Sequence, residues 1–169
     1  MVTRPLPLPF PTRPTLGPVL HLRSWGWVAA RHRDGTWPPP DHSGRAYTIM
    51  AHPRDFETGD GVVRALVPQG HEVELMRALV EHRRSGLPLD TDHAVQLHDR
   101  YRKALDVRWS RLDLAPGALV ADTPTGPVAV QTGDVLACAC SADEARAGRC
   151  HRAHVVTWLR VAGWEVRLG

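Results

Sequence analysis

Apolar and polar positions alternate with changing period along this chain, and each change of period marks an element. The first apolar stretch, Leu22–Ala30, reads as a strand, and Arg33-Asp34-Gly35 reads as a turn after it. Ala46–Ala51 is short, apolar and holds β-branched and aromatic residues, the signature of a buried strand. A polar loop with two glycines follows from His52 to Gly61. Then the period lengthens to that of a helix. Val73, Met76, Leu79 and Val80 predict a first amphipathic helix, closed by Ser85-Gly86. Thr91-Asp92 supplies good N-cap residues for a second, with Ala94, Leu97, Tyr101, Ala104 and Leu105 on one face. His82, His93 and His98 in these helices read as surface residues, because a spacing of five does not bring His93 and His98 onto one face.

The last third is denser in elements. Ala118–Asp122 and Pro127–Gln131 predict two short strands around the turn Thr123–Gly126. Leu136–Cys140 predicts another strand after the turn Gly133-Asp134. From Cys150 to about Ala162 the apolar positions Val155, Val156, Leu159 and Ala162 predict a helix, with Gly163 at C′. Trp164–Leu168 reads as a closing strand. Strands mixed with helices in this order predict one small three-layer α/β domain, Rossmann-like in form, with a mixed or mainly parallel sheet flanked by helices. The 169 residues suit a single domain, taken as residues 21–169. Residues 1–20 carry Pro5, Pro7, Pro9, Pro11, Pro14 and Pro18 and read as an arm biased to polyproline II.

Composition narrows the function little. The formal net charge of +3 is too mild to demand a nucleic-acid partner. Lys103 is the only lysine among the basic residues, a pattern that fits GC-rich coding bias as well as anion recognition by arginine. Trp25, Trp27 and Trp37 can stack on bases or cover the edge of the core, and the second is the commoner role of an indole. The prolines interrupt any apolar core of a signal peptide, and no run approaches the roughly 18 apolar residues of a membrane span, so a cytoplasmic, non-membrane protein is expected.

The cysteines change the picture. Cys138, Cys140 and Cys150 fall close together in the chain, with His151 and His154 directly after. Cys138 and Cys140 are two apart on the predicted strand and share a face, while Cys150 and His151 open the predicted helix. Three chemistries fit. Cys138, Cys140 and Cys150 with His154 or His151 make a Cys₃His set suited to zinc. Alternatively, Cys150 is a reactive thiolate, lowered in pKa by a helix N-terminus and by His151, which makes this pair the candidate catalytic residues. Finally, the cysteines can be small apolar core residues. The Cys140-to-Arg146 spacing matches that of cysteine phosphatases, but Asp143 and Glu144 would repel a phosphate.

Val135-Leu-Ala-Cys-Ala-Cys140, Cys150-His151 and Val155-Val-Thr-Trp-Leu159 together resemble the ending of the bacterial and phage family called domain of unknown function 4326. Cys150-His151-Arg152 is also similar to the helix-opening triplet of the related domain of unknown function 488. The resemblance implies a Rossmann-like α/β domain and no settled reaction. The expected site therefore lies at the end of the strand through Cys140, facing the N-terminus of the last helix. A small anionic ligand, phosphate-bearing or nucleotide-like, is expected there, held by Arg146, Arg149 and Arg152, with Arg54 and Glu57 of the polar loop as further candidates. A zinc-stabilised interaction module and a nucleic-acid-binding domain are the alternatives.

Overall fold

A computed structural model describes residues 17–54, 57–88, 90–140 and 150–169. Among them, seven strands form one sheet in the order β5-β4-β3-β2-β6-β1-β7. The strands are β1 (Val19–Ser24), β2 (Ala46–Thr48), β3 (Gly61–Val62), β4 (Val120–Thr123), β5 (Gly126–Ala129), β6 (Val135–Cys138) and β7 (Glu165–Leu168). The pairs β1–β6, β1–β7, β2–β3 and β2–β6 are parallel. Antiparallel pairs β3–β4 and β4–β5 finish one edge. The domain is thus α/β with a mainly parallel mixed sheet.

Burial explains why β6 is central. All four of its residues are buried, as a parallel strand covered on both faces requires. Leu136 and Cys138 belong to the larger core with Leu20 and Leu22 of β1 and with residues of α2 (His71–Arg84), α3 (Asp92–Trp109) and α4 (His151–Val161). Val135 and Ala137 join a smaller core on the other face, with Ala46 and with Trp25 and Val28 of α1 (Trp25–Arg33). The chain therefore leaves β1 for one face and β6 for the other. Neighbouring strands that part in this way leave a crevice at their carboxyl ends, the usual ligand position in open α/β sheets.

Three expectations need correction. Leu22–Ala30 is not a strand: β1 ends at Ser24, whose side chain accepts the Trp27 N–H at 3.1 Å and caps α1. A short apolar run cannot by itself separate strand from helix, and the cap decided for helix. His82 is not a surface residue. It is 9% exposed, and its Nε2 lies 3.0 Å from the Pro88 carbonyl. The buried positions of α2 are Glu72, Leu75 and His82, while Val73, Met76, Leu79 and Val80 are only half-buried. The reason is an ion pair: Arg108 of α3 reaches both carboxylate oxygens of Glu72, at 2.6 and 2.9 Å, and turns that face inward.

The rest agrees in outline, although β2 ends at Thr48 and β6 at Cys138, short of the expected strands, and β3 was not foreseen. Thr91 caps α3 through the Ala94 N–H at 3.3 Å, and Ala94, Leu97, Tyr101 and Leu105 are buried. β4 and β5 make the hairpin, and Gly163 follows α4 with φ 103°. Residues 1–16, most of the proline-rich arm, lie outside the described residues, and β1 already starts at Val19.

Candidate functional site

The three cysteines converge at the carboxyl end of the sheet. Cys138 is the last residue of β6, Cys140 follows two residues on, and Cys150 is the N-cap of α4. Their sulfur atoms all lie within 4.8 Å of one another, with Cys138 and Cys150 3.3 Å apart. Two of the thiols are buried and Cys140 is half-buried. Local chemistry explains the placement. Cys138 occupies the α4-facing side of a strand whose alternation is set by Leu136. Cys150 has the extended backbone of an N-cap, and its sulfur accepts the Arg152 N–H at 3.3 Å. Sulfur at this helix end sits in the positive field of the macrodipole.

The three thiols titrate as a unit. Hydrogen bonds with Cys138 and then Cys150 lower Cys140, and hydrogen bonding with Cys140 raises Cys138. Hydrogen bonds with Cys138 and Cys140, with burial added, raise Cys150 well above the usual thiol range. The sequence suggested Cys150 for the thiolate, because a helix end favours charge there. It could not show that two other thiols lie within reach.

His151 is buried, and its Nε2 donates to the Ile49 carbonyl at 2.7 Å, just past the end of β2. Burial lowers its pKa, so the ring is neutral, with the Nδ1 lone pair 4.0 Å from the Cys150 sulfur. His151 is thereby a positioning residue that ties β2 to the start of α4. Arg152 is fully buried at the same helix end, and its charge lowers Cys138 and Cys140 as a lesser influence.

The other candidates are placed elsewhere. His154 stands outside the group of mutually close ligand atoms, with its ring against His98 at 5.4 Å. Glu57 is 5% exposed and its carboxylate accepts the Arg54 N–H at 3.0 Å, so it closes its own loop. The Arg54 side chain is 77% exposed, 3.7 Å from that carboxylate. Arg146 and Arg149 lie outside the described residues. Trp25 is buried, and Trp27 and Trp37 pack edge to face at 6.3 Å.

His154 carries a pH prediction. Burial first, and then the neighbouring His98, lower its pKa from 6.5 to about 4. A group depressed in the folded state gives stability that is complete above its unfolded pKa. Between about pH 6.5 and 4 the unfolded chain binds the extra proton, and that stability is lost. Discounted for partial exposure, the loss is up to about 2 kcal/mol. Chemical denaturation at pH 7 and pH 4.5 is expected to show a smaller acid loss for His154→Leu than for the unaltered chain.

One group of residues escaped the sequence entirely. His21, Asp41 and His42 also bring ligand atoms within 4.8 Å of one another. A histidine inside the apolar run Val19–Leu22 was the only available signal. Compared with known proteins, the chain matches no family model, no curated protein and no solved structure. What fold and site define is an α/β domain with a three-thiol cluster, able to hold a metal ion, at the carboxyl edge of its sheet.

Proposed function

We propose that this domain binds zinc through Cys138, Cys140 and Cys150 and presents the metal's fourth position to a small ligand at the carboxyl edge of the sheet. The observation that carries the reading is the convergence of three sulfurs from two separate elements within 4.8 Å. Zinc–sulfur bonds of about 2.3 Å in a tetrahedron set sulfurs about 3.8 Å apart. The Cys138–Cys150 separation of 3.3 Å and the limit of 4.8 Å for all pairs lie on either side of that value. Thiolates are soft donors and select zinc or copper(I) over magnesium or calcium. Three thiolates around a divalent ion leave one negative charge, which the buried Arg152 and the α4 N-terminus offset.

Among the described residues no fourth side chain joins the group, and three protein ligands with one exchangeable position is the pattern of a reactive rather than a purely structural zinc. The ligand reading draws support from the carboxyl edge at which β1 and β6 send the chain to opposite faces, the usual ligand position in open α/β sheets. A small anion remains the favoured class, because the helix end offers positive potential. Metal substitution tests the centre. Adding cobalt(II) to metal-stripped protein is expected to give the intense sulfur-to-cobalt charge-transfer absorption of a thiolate site, at one equivalent per chain. Absence of that band in folded protein overturns the proposal and leaves a thiol cluster acting through the Cys140 thiolate.

A further inference from the structure

We infer that Cys140 is the point at which this protein reacts with hydroperoxides, and that Cys138 and Cys150 are the pair that stores the oxidation as a buried disulfide. The reaction involves the same sulfurs as the proposed metal centre but needs no metal, because it is a reaction of the metal-free chain. The three thiols are unequally placed for it. Cys138 is 1% exposed and Cys150 2%, both within the large core, while Cys140 is half-buried and packs against that core from outside. An incoming peroxide therefore meets Cys140 first. Behind it the sulfurs of Cys138 and Cys150 lie 3.3 Å apart, and all three sulfurs lie within 4.8 Å of one another.

The Cys140 sulfur attacks the terminal peroxide oxygen. An S–O bond forms, the O–O bond breaks, and the alcohol (water, from hydrogen peroxide) leaves with the thiol proton. Cys140 is then a sulfenic acid. The Cys150 sulfur attacks it, the S–O bond breaks, and the hydroxyl leaves as water with the Cys150 proton. Cys150 rather than Cys138 takes this part, because a bond between cysteines two apart in the chain closes a tight, strained ring. Cys138 next attacks the Cys150 sulfur. The product is the Cys138–Cys150 disulfide, and the Cys138 proton returns Cys140 to a thiol. In sum, two thiols give up two electrons and two protons, and one hydroperoxide becomes one alcohol and one water.

The fold favours the last exchange. β6 is paired with β1 as far as Ser24 and Cys138, and Cys150 is the N-cap of α4, so both sulfurs sit on regular elements. Closing their 3.3 Å separation to the roughly 2.0 Å of a disulfide asks for a movement of about 1.3 Å in all. The Cys150 sulfur keeps its lone pairs in the disulfide, so it still accepts the Arg152 N–H that caps the helix. Among core residues such as Leu136 and Val155, the disulfide is shielded from external thiols. Cys140 opens it again. Its attack on Cys150 moves the bond to Cys140–Cys150, at the half-buried position where an external thiol can reduce it. Oxidation and reduction both pass through Cys140.

The test treats the metal-stripped full chain with one equivalent of hydrogen peroxide, alkylates the remaining thiols and maps them by peptide mass spectrometry. A Cys138–Cys150 disulfide and an alkylated Cys140 are expected in each reacted chain. Cys140→Ser is expected to slow disulfide formation at least about 10-fold, since only the buried pair is left. Cys150→Ala is expected to stop the reaction at the Cys140 sulfenic acid, which dimedone traps. If Cys150→Ala fails to fold, Cys140→Ser carries the test, because its side chain is only half-buried. Three free thiols after treatment, disulfides between chains, a lasting Cys140–Cys150 bond, or a Cys140→Ser variant that oxidises as fast as the unaltered chain overturns the inference. Failure of the metal reading looks different: the sulfur-to-cobalt band is missing while the disulfide still forms.

Discussion

Serine in place of Cys140 is expected to cut zinc affinity by at least about 100-fold while the chain stays folded. Cys140 is the informative position because it is half-buried, whereas Cys138 and Cys150 belong to the core. A hydroxyl at Cys138 would bury a polar group and confound metal loss with destabilisation. The same centre sets a pH dependence. In the metal-free protein Cys140 is the most acidic of the three, while Cys138 and Cys150 are raised above the usual thiol range. Metal uptake must displace the protons of those two, so the metal-free form binds more protons and low pH favours it. Affinity is expected to rise with pH, by about 100-fold per unit around neutrality. Competition with a chromophoric chelator at several pH values measures both effects. A pH-independent affinity would show that the thiols are not the ligands.

Replacing Asp134 by alanine is expected to cost about 3 kcal/mol, the low end of the range for breaking a buried ion pair, because the Arg45 side chain is 31% exposed. Asp134 is fully buried at the start of β6. Its carboxylate accepts from Arg45 Nε at 3.0 Å and Nη2 at 3.1 Å, from the Ser43 hydroxyl, and from the Gln131 N–H at 2.8 Å. Without it, the Arg45 charge and two donors lose their acceptor together, and the loop bearing Asp41 and His42 loses one of its fastenings to the sheet. In a chain of this size the change corresponds to a fall of roughly 10 °C in Tm. Thermal unfolding measures it.

The helices were largely legible. α3 begins at the cap that Thr91 announces and buries four of the five expected apolar positions, Ala94, Leu97, Tyr101 and Leu105, with Ala104 packed beside them. The β4–β5 hairpin, β7 and α4 follow from period and turn residues in the same way. α1 was misread because Trp25–Ala30 is apolar without a clear period, and its one decisive signal is the Ser24 cap. His82 was misread for another reason. Its burial depends on the Pro88 carbonyl, and helical period says nothing about a loop that folds back over the helix.

The candidate site divides along the same line. The sequence by itself determined that Cys138 lies on a strand and that Cys150 opens a helix, because strands, caps and helical faces are set by residues a few positions apart. Only the tertiary structure decided that the three thiols titrate together. That depends on Cys138, Cys140 and Cys150 lying within one another's reach, and on the Ile49 carbonyl holding His151. The sheet order that places β6 between β1 and β2 is likewise a matter of long-range pairing. So is the meeting of His21 with His42 across a helix and a loop. Such contacts join segments whose local patterns are independent, and no local period encodes them.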